Sequence, residues 1–195
     1  VVGGDSAPSE SDPYYEGEEE NKLALEYMTG FNGIRLWTSN GNFTGPQDVI
    51  NGISAGCGFL FFDGHGNPMS WSTHPPKNAS VWINGLQVKH IANLTNSEQL
   101  PVCVCGGCHN GQFNTSYNNI IKGFLQDGFD YFQYKKPPAG KFYRGEWTPE
   151  CWAWKLASLP NGGSIATMAY AGLDYFAIGD YNHDGIPDCT QFYSG

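Results

Sequence analysis

The sequence predicts an α/β domain in which helices flank a mostly parallel sheet. Two nearly all-apolar runs, 57–62 and 100–105, are typical of strands that are buried on both faces of such a sheet. Helical segments alternate with the predicted strands, and this alternation favours parallel pairing. The chain has 195 residues, of which 40% are hydrophobic and 26 are glycine, so we expect one loop-rich domain with a substantial core.

Each expected element follows in order along the chain. The predicted strands are 1–5, 34–37, 57–62, 100–105 and 164–169. The predicted helices are 21–28, 47–54, a segment through 86–94, a segment around 120–126 and a segment from 149 through 156. Polar loops are expected at 6–20 and 67–80, and an aromatic loop at 127–147 is expected to pack on the core rather than to form a lid or partner surface.

Local signals support the helices. The acidic run 18–20 suits the first turn of a helix, where the macrodipole favours negative charge. Three apolar residues of segment 47–54 share one helical face. Thr148 and Pro149 are the residue types preferred at a helix cap and in its first turn.

The charge balance excludes one class of partner. The net charge is −9 and the pI is about 4.8, so the chain repels phosphate backbones and nucleic-acid binding is disfavoured. No apolar run approaches the roughly 20 residues of a membrane helix.

Cysteines and glycosylation sequons predict an extracytoplasmic location, secreted or at the cell surface. Six cysteines are more than a reduced enzyme usually carries, and the disulfide pairings considered are Cys57 with Cys103 or Cys105, and Cys151 with Cys189. The sequons begin at Asn42, Asn78, Asn93 and Asn114.

The two chain ends suggest a piece of a longer polypeptide. We expect residues 1–36 to be the remnant of a preceding subdomain or an edge of the same domain. Residues 37–178 are expected to form the main domain, and residues 179–195 an acidic tail that continues further.

Two apolar strands end in residues that carry chemistry. One strand delivers His65 between glycines, and the other delivers Cys108 after two glycines. Functional groups of open α/β sheets gather beyond the carboxyl ends of the strands, so neighbouring strands would place both side chains in one cleft. A thiol beside an imidazole is the arrangement for nucleophilic attack on a carbonyl, and the free amides of Gly66 and Cys108 are candidate oxyanion donors.

These segments resemble a known family. The run 61–66 (FFDGHG) is similar to the His-Gly motif of gingipain-like cysteine peptidases, relatives of caspases and legumains. The run 101–113, around GCHNGQF, resembles their nucleophile segment, and the likeness extends from about 37 to 176. The resemblance implies a caspase-like fold and endopeptidase activity, with Cys108 and His65 as the dyad. The family's larger preceding subdomain supplies an acid near the histidine, and no third catalytic residue is identified here.

The same resemblance implies a specificity pocket. Asp63 lies two residues before His65, so on a strand both side chains point to the same face. Asp174, Tyr175 and Phe176 are expected to line another wall. Acidic groups there would favour Arg or Lys before the scissile bond, whereas the alternative for Asp63 is a structural cap or an orienter of His65.

Competing interpretations use the same segment. Cys105, Cys108 and His109 form C-x-x-C-H, the attachment motif of c-type haem, although here it closes a strand. Cys103, Cys105, Cys108 and His109 could alternatively bind zinc, although they span a shorter stretch than two separated ligand pairs. A non-catalytic surface or adhesion protein with a peptidase-like fold is a further alternative. The partner of a peptidase would be a protein or peptide substrate. The partners of a surface protein would be the rest of a longer polypeptide or further copies of the chain at the cell surface.

The C-terminal region carries a separate cation signal. Its pattern D-x-N-x-D-G-x-x-D predicts a structural calcium ion, because alternate side chains in such a loop converge on a hard cation. Gln191 stands where a calcium loop prefers Glu, and the alternative is an acidic turn. The expected ligands are Asp180, Asn182, Asp184, the Ile186 carbonyl and Asp188.

Overall fold

A five-stranded parallel sheet forms the centre of the protein in the computed structural model, which describes residues 1–135 and 139–191. Its strands, in chain order, are β1 Val2–Gly3, β2 Leu36–Trp37, β3 Phe59–Asp63, β7 Val102–Gly106 and β8 Ala166–Ala169. In space the order is β2-β1-β3-β7-β8, with parallel pairing throughout. The predicted α/β class and parallel sheet are therefore confirmed.

A small antiparallel sheet follows β3, where a loop and a helix were predicted. Its strands are β4 His65–Asn67, β5 Ser70–Thr73 and β6 Ile83–Gln87. Trp71 and Thr73 alternate with less buried neighbours, which is the strand pattern. Leu86, which the helix prediction used, is a buried residue of β6, and only one helical turn follows it. The prediction failed because three spaced apolar residues fit either structure.

Helices cover both faces of the central sheet. They are α1 Glu16–Tyr27, α2 Pro46–Ser54, α3 Val88–Ile91, α4 Asn118–Asp127 and α5 Trp152–Ala157. Helix α1 begins at Glu16 rather than at residue 21, so the acidic run lies inside the helix. The Glu18 carboxylate accepts hydrogen bonds from Ser39 N at 3.0 Å and Thr38 Oγ1 at 3.3 Å.

The aromatic loop packs partly as expected. It begins with a 3-10 turn, Gly128–Phe132, in which Tyr131 is buried and its hydroxyl donates to Trp147 O. Residues 136–138 of the loop and 192–195 of the acidic tail lie outside the described residues.

Alternation along β3 and β7 divides the central sheet into two unlike faces. Leu60 and Phe62 pair in register with Cys103 and Cys105, and these side chains join the main hydrophobic cluster on what we call the core face. The intervening residues line a cavity beneath α1, on what we call the pocket face. They are Phe61, Asp63, Val104 and Gly106.

Two tryptophans organise the core face. The Phe62 ring lies 5.2 Å from Trp71 and 5.3 Å from Trp152, and all three are fully buried. Trp71 Nε1 donates to Gly106 O at 3.0 Å, and Trp152 Nε1 donates to Leu86 O at 2.7 Å. The polar edge of each indole is therefore satisfied inside the core.

All six cysteines are free thiols, so the expected disulfides are not present. Strand register explains why Cys57 and Cys103 are not bonded. Cys103 lies opposite Leu60, and Leu60 is about 10 Å along the strand from Cys57. Cys151 and Cys189 make separate contacts, with the carbonyls of Asn110 and Glu16.

The first strand belongs to the central sheet, because β1 lies between β2 and β3. The division into 1–36, 37–178 and 179–195 stays a prediction. Of the helices in the described residues, none is long and apolar enough to cross a bilayer.

Candidate active site

Adjacent strands bring the predicted dyad to one edge of the sheet. Asp63 at the end of β3 pairs in register with Gly106 at the end of β7. His65 and Cys108 each follow that pair by two residues. The turns touch, since a Cβ added to Gly66 would lie 2.8 Å from Cys108 O. Parallel pairing thus places the two turns side by side at one edge of the sheet, and the roles of His65 and Cys108 stay a prediction.

Asn110 joins the two turns, and sequence analysis did not identify it. Its Nδ2 donates to Asn67 O at 2.8 Å and to Ser70 O at 3.0 Å, and the residue is fully buried. A Cβ on Gly66 would lie 2.0 Å from Asn110 Oδ1, and one on Gly107 would lie 2.5 Å from it. Both glycines are therefore required for the nucleophile turn to fit against the β4–β5 hairpin.

The imidazole of His65 is held by a backbone carbonyl. Nε2 lies 2.6 Å from Ser6 O, and a carbonyl accepts only, so this nitrogen carries the proton. Burial lowers the pKa of His65. The ring lies edge-on to Trp82, with 5.2 Å between centroids, and 6.3 Å from Phe176. The sequence carried no signal for Ser6, because its side chain is not the group used.

The thiol of Cys108 contacts the backbone of Asp174. Asp174 N donates to Sγ at 3.4 Å, and Sγ lies 3.6 Å from Asp174 O. Cys108 is half-buried, whereas burial raises the pKa values of the Cys103, Cys105 and Cys151 thiols. Of these four thiols, Cys108 is therefore the one that a substrate can reach.

An acidic cavity of about 250 Å³ opens on the pocket face, and two of its lining residues, Asp174 and Phe176, adjoin Cys108 and His65. Three carboxyl residues line it, together with aromatic side chains at the rim. The carboxyl residues are Glu20, Asp63 and Asp174, and the aromatic residues are Tyr27, Phe61, Tyr170, Tyr175 and Phe176. The four residues predicted to bind substrate thus lie around one cavity. Glu20 was missed because its acidic run was interpreted as a helix start.

Burial controls the charges in this acidic cavity. It raises the pKa of Asp63 well above its usual range, and the neighbouring charge of Glu20 raises it further. Burial also raises the pKa values of Glu20 and Asp174. Asp63 and Glu20 are hydrogen-bonded to each other, so the pair holds a proton while no cation neutralises it.

A second cavity, of about 270 Å³, is not a site for this chemistry. It lies at the amino end of β3 and is lined mainly by apolar residues such as Val2, Leu25 and Phe31. None of the three carboxyl groups is among its lining residues, and it lies at the end of β3 opposite to His65.

The alternative cofactor sites are not assembled. Cys105 is 1% exposed on the core face, and its thiol lies 3.5 Å from Asn110 Oδ1, which disfavours covalent haem attachment there. Within residues 1–135 and 139–191, no three His, Cys, Asp or Glu side chains are grouped so that they could hold a metal ion. The zinc set of Cys103, Cys105, Cys108 and His109 is therefore not brought together.

The sequon asparagines are accessible. All four are exposed on loops, so a glycosylating enzyme could reach them. Their glycosylation stays a prediction. They are Asn42, Asn78, Asn93 and Asn114.

Comparison with known proteins identifies similar sequences and folds. The family model described as "Peptidase family C25" matches residues 2–192. Among solved structures, the Arg-specific cysteine proteinase gingipain R is 19% identical with a TM-score of 0.54, over 89% of this chain and 32% of that chain. A complex of Porphyromonas gingivalis RgpB pro- and mature domains is 18% identical with a TM-score of 0.53, over 88% of this chain and 31% of that one.

These likenesses establish the caspase-like fold that the resemblance predicted. The chain spans about a third of the length of the solved chains that it matches. Among curated protein sequences, none matches it.

Proposed function

The chain belongs to peptidase family C25, and we propose that it is the catalytic part of a secreted or cell-surface cysteine endopeptidase that cleaves after basic residues. One observation carries the proposal: an imidazole and a thiol follow adjacent parallel strands, beside a cavity lined by three carboxyl groups. The substrates would be proteins or peptides.

In the proposed reaction Cys108 is the nucleophile and His65 the general acid and base. His65 Nε2–H donates a hydrogen bond to Ser6 O, so the other ring nitrogen, Nδ1, is the one that accepts and releases a proton. Sγ bonds to the scissile carbonyl carbon while His65 takes the thiol proton and passes it to the leaving amine as the C–N bond breaks. Water then attacks the thioester, and its proton returns to the thiol as the acid is released.

The proposed oxyanion donors are the amides of Gly66 and Cys108. Gly66 pairs with Trp71 one step from the hairpin turn, where in an antiparallel ladder the N–H points away from the partner strand. A Cβ on Gly107 would lie 3.2 Å from Gly66 N, so this amide adjoins the nucleophile turn. An amide donor in such a position stabilises the charge that develops on the attacked oxygen.

The acidic cavity is the proposed pocket for a basic side chain. Asp63 and Glu20 supply charge at its floor, and Asp174 supplies it beside Cys108. An arginine or lysine side chain entering the pocket would displace the proton that the carboxyl pair holds. Binding would then release a proton and pair the cation with buried carboxylates.

Irreversible labelling tests the proposal. The native protein is treated with a peptidyl acyloxymethyl ketone that ends in arginine, and its intact mass is measured. We expect one adduct, located on Cys108 by peptide mapping. The Cys108→Ala variant should lose the adduct and at least about 10³-fold in kcat/KM on an arginyl substrate.

The half-buried thiol of Cys57 is the matched control, so Cys57→Ser should label and cleave like the parent. An adduct that survives Cys108→Ala, or equal labelling by reagents ending in arginine and in alanine, would contradict the proposal. A folded protein that neither labels nor cleaves would support the surface-protein alternative. A Soret band with a haem-sized mass increment would instead support the haem alternative.

A further inference from the structure

The loop 180–191 carries an acidic, glycine-containing pattern that the proposed peptidase chemistry does not use. We propose that this loop binds one calcium ion and that the ion holds the floor of the acidic cavity in place. The site itself is independent of the proposed function, and only its effect on catalysis rests on that function.

Backbone amides already fold the loop around its acidic side chains. Asp180 Oδ1 accepts from Asp184 N at 3.1 Å, and Oδ2 accepts from Gly185 N at 2.8 Å. Gly185 has φ +84°, a left-handed conformation that suits glycine. No three acidic side chains of this loop converge on one point in the described structure, so a bound cation would draw the oxygens of alternate residues together as hard-cation loops do.

The side-chain amide of Gln191 contacts three of the candidate ligand oxygens. Gln191 Nε2 lies 3.1 Å from both carboxylate oxygens of Asp184 and 3.2 Å from Ile186 O. An NH₂ group has two hydrogens, so it cannot satisfy three acceptors fully. A divalent cation satisfies all three at once, and rotation of the amide would turn Gln191 Oε1 towards the cation as a further ligand.

An independent observation points to a missing ligand. Asp188 is 6% exposed, and its Oδ2 accepts from Tyr181 N at 3.0 Å, so the carboxylate faces the loop. Its Oδ1 is buried and has no hydrogen-bond partner among the described residues. A buried carboxylate oxygen without a partner is costly, and a cation, directly or through its bound water, removes that cost.

The donor set favours calcium over magnesium. It mixes carboxylates, an amide and a backbone carbonyl, which suits the larger and more variable coordination of calcium. The loop lacks a bidentate glutamate at Gln191, so we expect a dissociation constant of roughly 10⁻⁴ to 10⁻³ M, the weak end of such sites.

A short connection links this loop to the acidic cavity. Asp188 begins a 3-10 turn, Asp188–Thr190, that packs against α1. Cys189 in this turn lies 3.9 Å from Glu16 O and lines the cavity together with Glu20 and Asp63. Fixing Asp188 with a cation therefore fixes Cys189 beneath the cavity.

The first test is thermal unfolding of the protein with Ca²⁺ or Mg²⁺, each at 10 mM. We expect Ca²⁺ to raise the melting temperature by about 3–10 °C and Mg²⁺ to have less effect. Asp184→Asn should abolish the shift, and the exposed control Glu98→Gln should keep it. Gln191→Glu should tighten calcium binding by at least about tenfold, because it supplies the bidentate ligand.

The second test measures the link to the acidic cavity without using activity. The alkylation rate of Cys189 by iodoacetamide is followed by peptide mapping, with the buried Cys103 as the control. Calcium should slow Cys189 alkylation at least about fivefold, whereas the rate at Cys103 should not change.

An unchanged melting temperature would overturn the calcium site. A raised melting temperature with an unchanged Cys189 rate would overturn the link to the cavity. If calcium acts as expected in a protein that neither labels nor cleaves, the peptidase proposal fails and the calcium site stands. If the link holds in an active protein, chelation should lower kcat/KM on arginyl substrates.

Discussion

The two faces of β3 and β7 bury opposite kinds of side chain. On the core face, Leu60 and Phe62 pack with the two buried tryptophans, and each indole N–H has a partner. On the pocket face, Asp63 lies with Glu20 in a cavity, and both carboxyl groups have raised pKa values. Successive residues of one strand thus supply packing on one side and a buried acid on the other.

This difference indicates how a small domain can stay folded although the acids of its pocket face lower its stability. A tightly packed layer stabilises the sheet, and the same sheet holds buried acids at positions where their charge is costly. The following predictions separate the two roles, beginning with the largest expected effect.

Removing a ring from the core face should affect stability most. Trp152→Ala should lower the free energy of unfolding by about 3–5 kcal/mol, because it leaves a large cavity next to Phe62. Urea denaturation measures the loss. Trp154 on the same helix is 61% exposed, so Trp154→Ala should change stability by less than about 1 kcal/mol. Equal losses from the two variants would contradict the assignment of the core face.

Removing an acid from the pocket face should affect catalysis without lowering stability. Asp63→Asn should lower kcat/KM on arginyl substrates by about 10²-fold or more, because a bound guanidinium loses a buried partner. Asp48→Asn, on α2, is the control that should leave the kinetics unchanged. A parallel loss of unfolding free energy in Asp63→Asn would instead indicate a structural role for Asp63.

The acid at the start of α1 should make stability depend on pH. Burial raises the pKa of Glu16 to about 7, so the folded state holds its proton more tightly than the unfolded state does. The stabilisation is complete below pH 4.5 and is lost as pH rises through about 7. Glu16→Gln should therefore raise the free energy of unfolding by about 2–3 kcal/mol at pH 8.5 and by little at pH 4. Equal effects at both pH values would contradict this.

The acid at the start of α2 should show the opposite dependence. Backbone N–H donors of Thr44 and Gly45 lower the pKa of Asp48, so its stabilisation is present above its ordinary value and is lost as pH falls through the lowered pKa. Asp48→Asn should cost about 0.5–1 kcal/mol at pH 7 and almost nothing at pH 2. The exposed Glu26→Gln is the control, and a larger cost in acid than at pH 7 would exclude the capping role.

The sequence predicted the parallel sheet because its buried strands are short apolar runs that end in glycine. It predicted the neighbouring positions of His65 and Cys108 for the same reason, since both follow such runs. It did not predict the antiparallel sheet, because Trp71 and Leu86 gave spacings that fit loop, strand or helix. The contacts of Ser6 and Asn110 were also missed, because one uses a backbone atom and the other lies between segments far apart in sequence.

His65 donates its hydrogen bond to a main-chain carbonyl, that of Ser6, and this affects what mutagenesis can detect. Every amino acid supplies a carbonyl at position 6, so a residue small enough for the buried site of Ser6, such as alanine, leaves the acceptor in place. An alanine scan would therefore find no partner residue for this histidine and would suggest that it acts unassisted. Only a change in the path of the main chain after β1 would move the acceptor away, and that change would look like a folding defect.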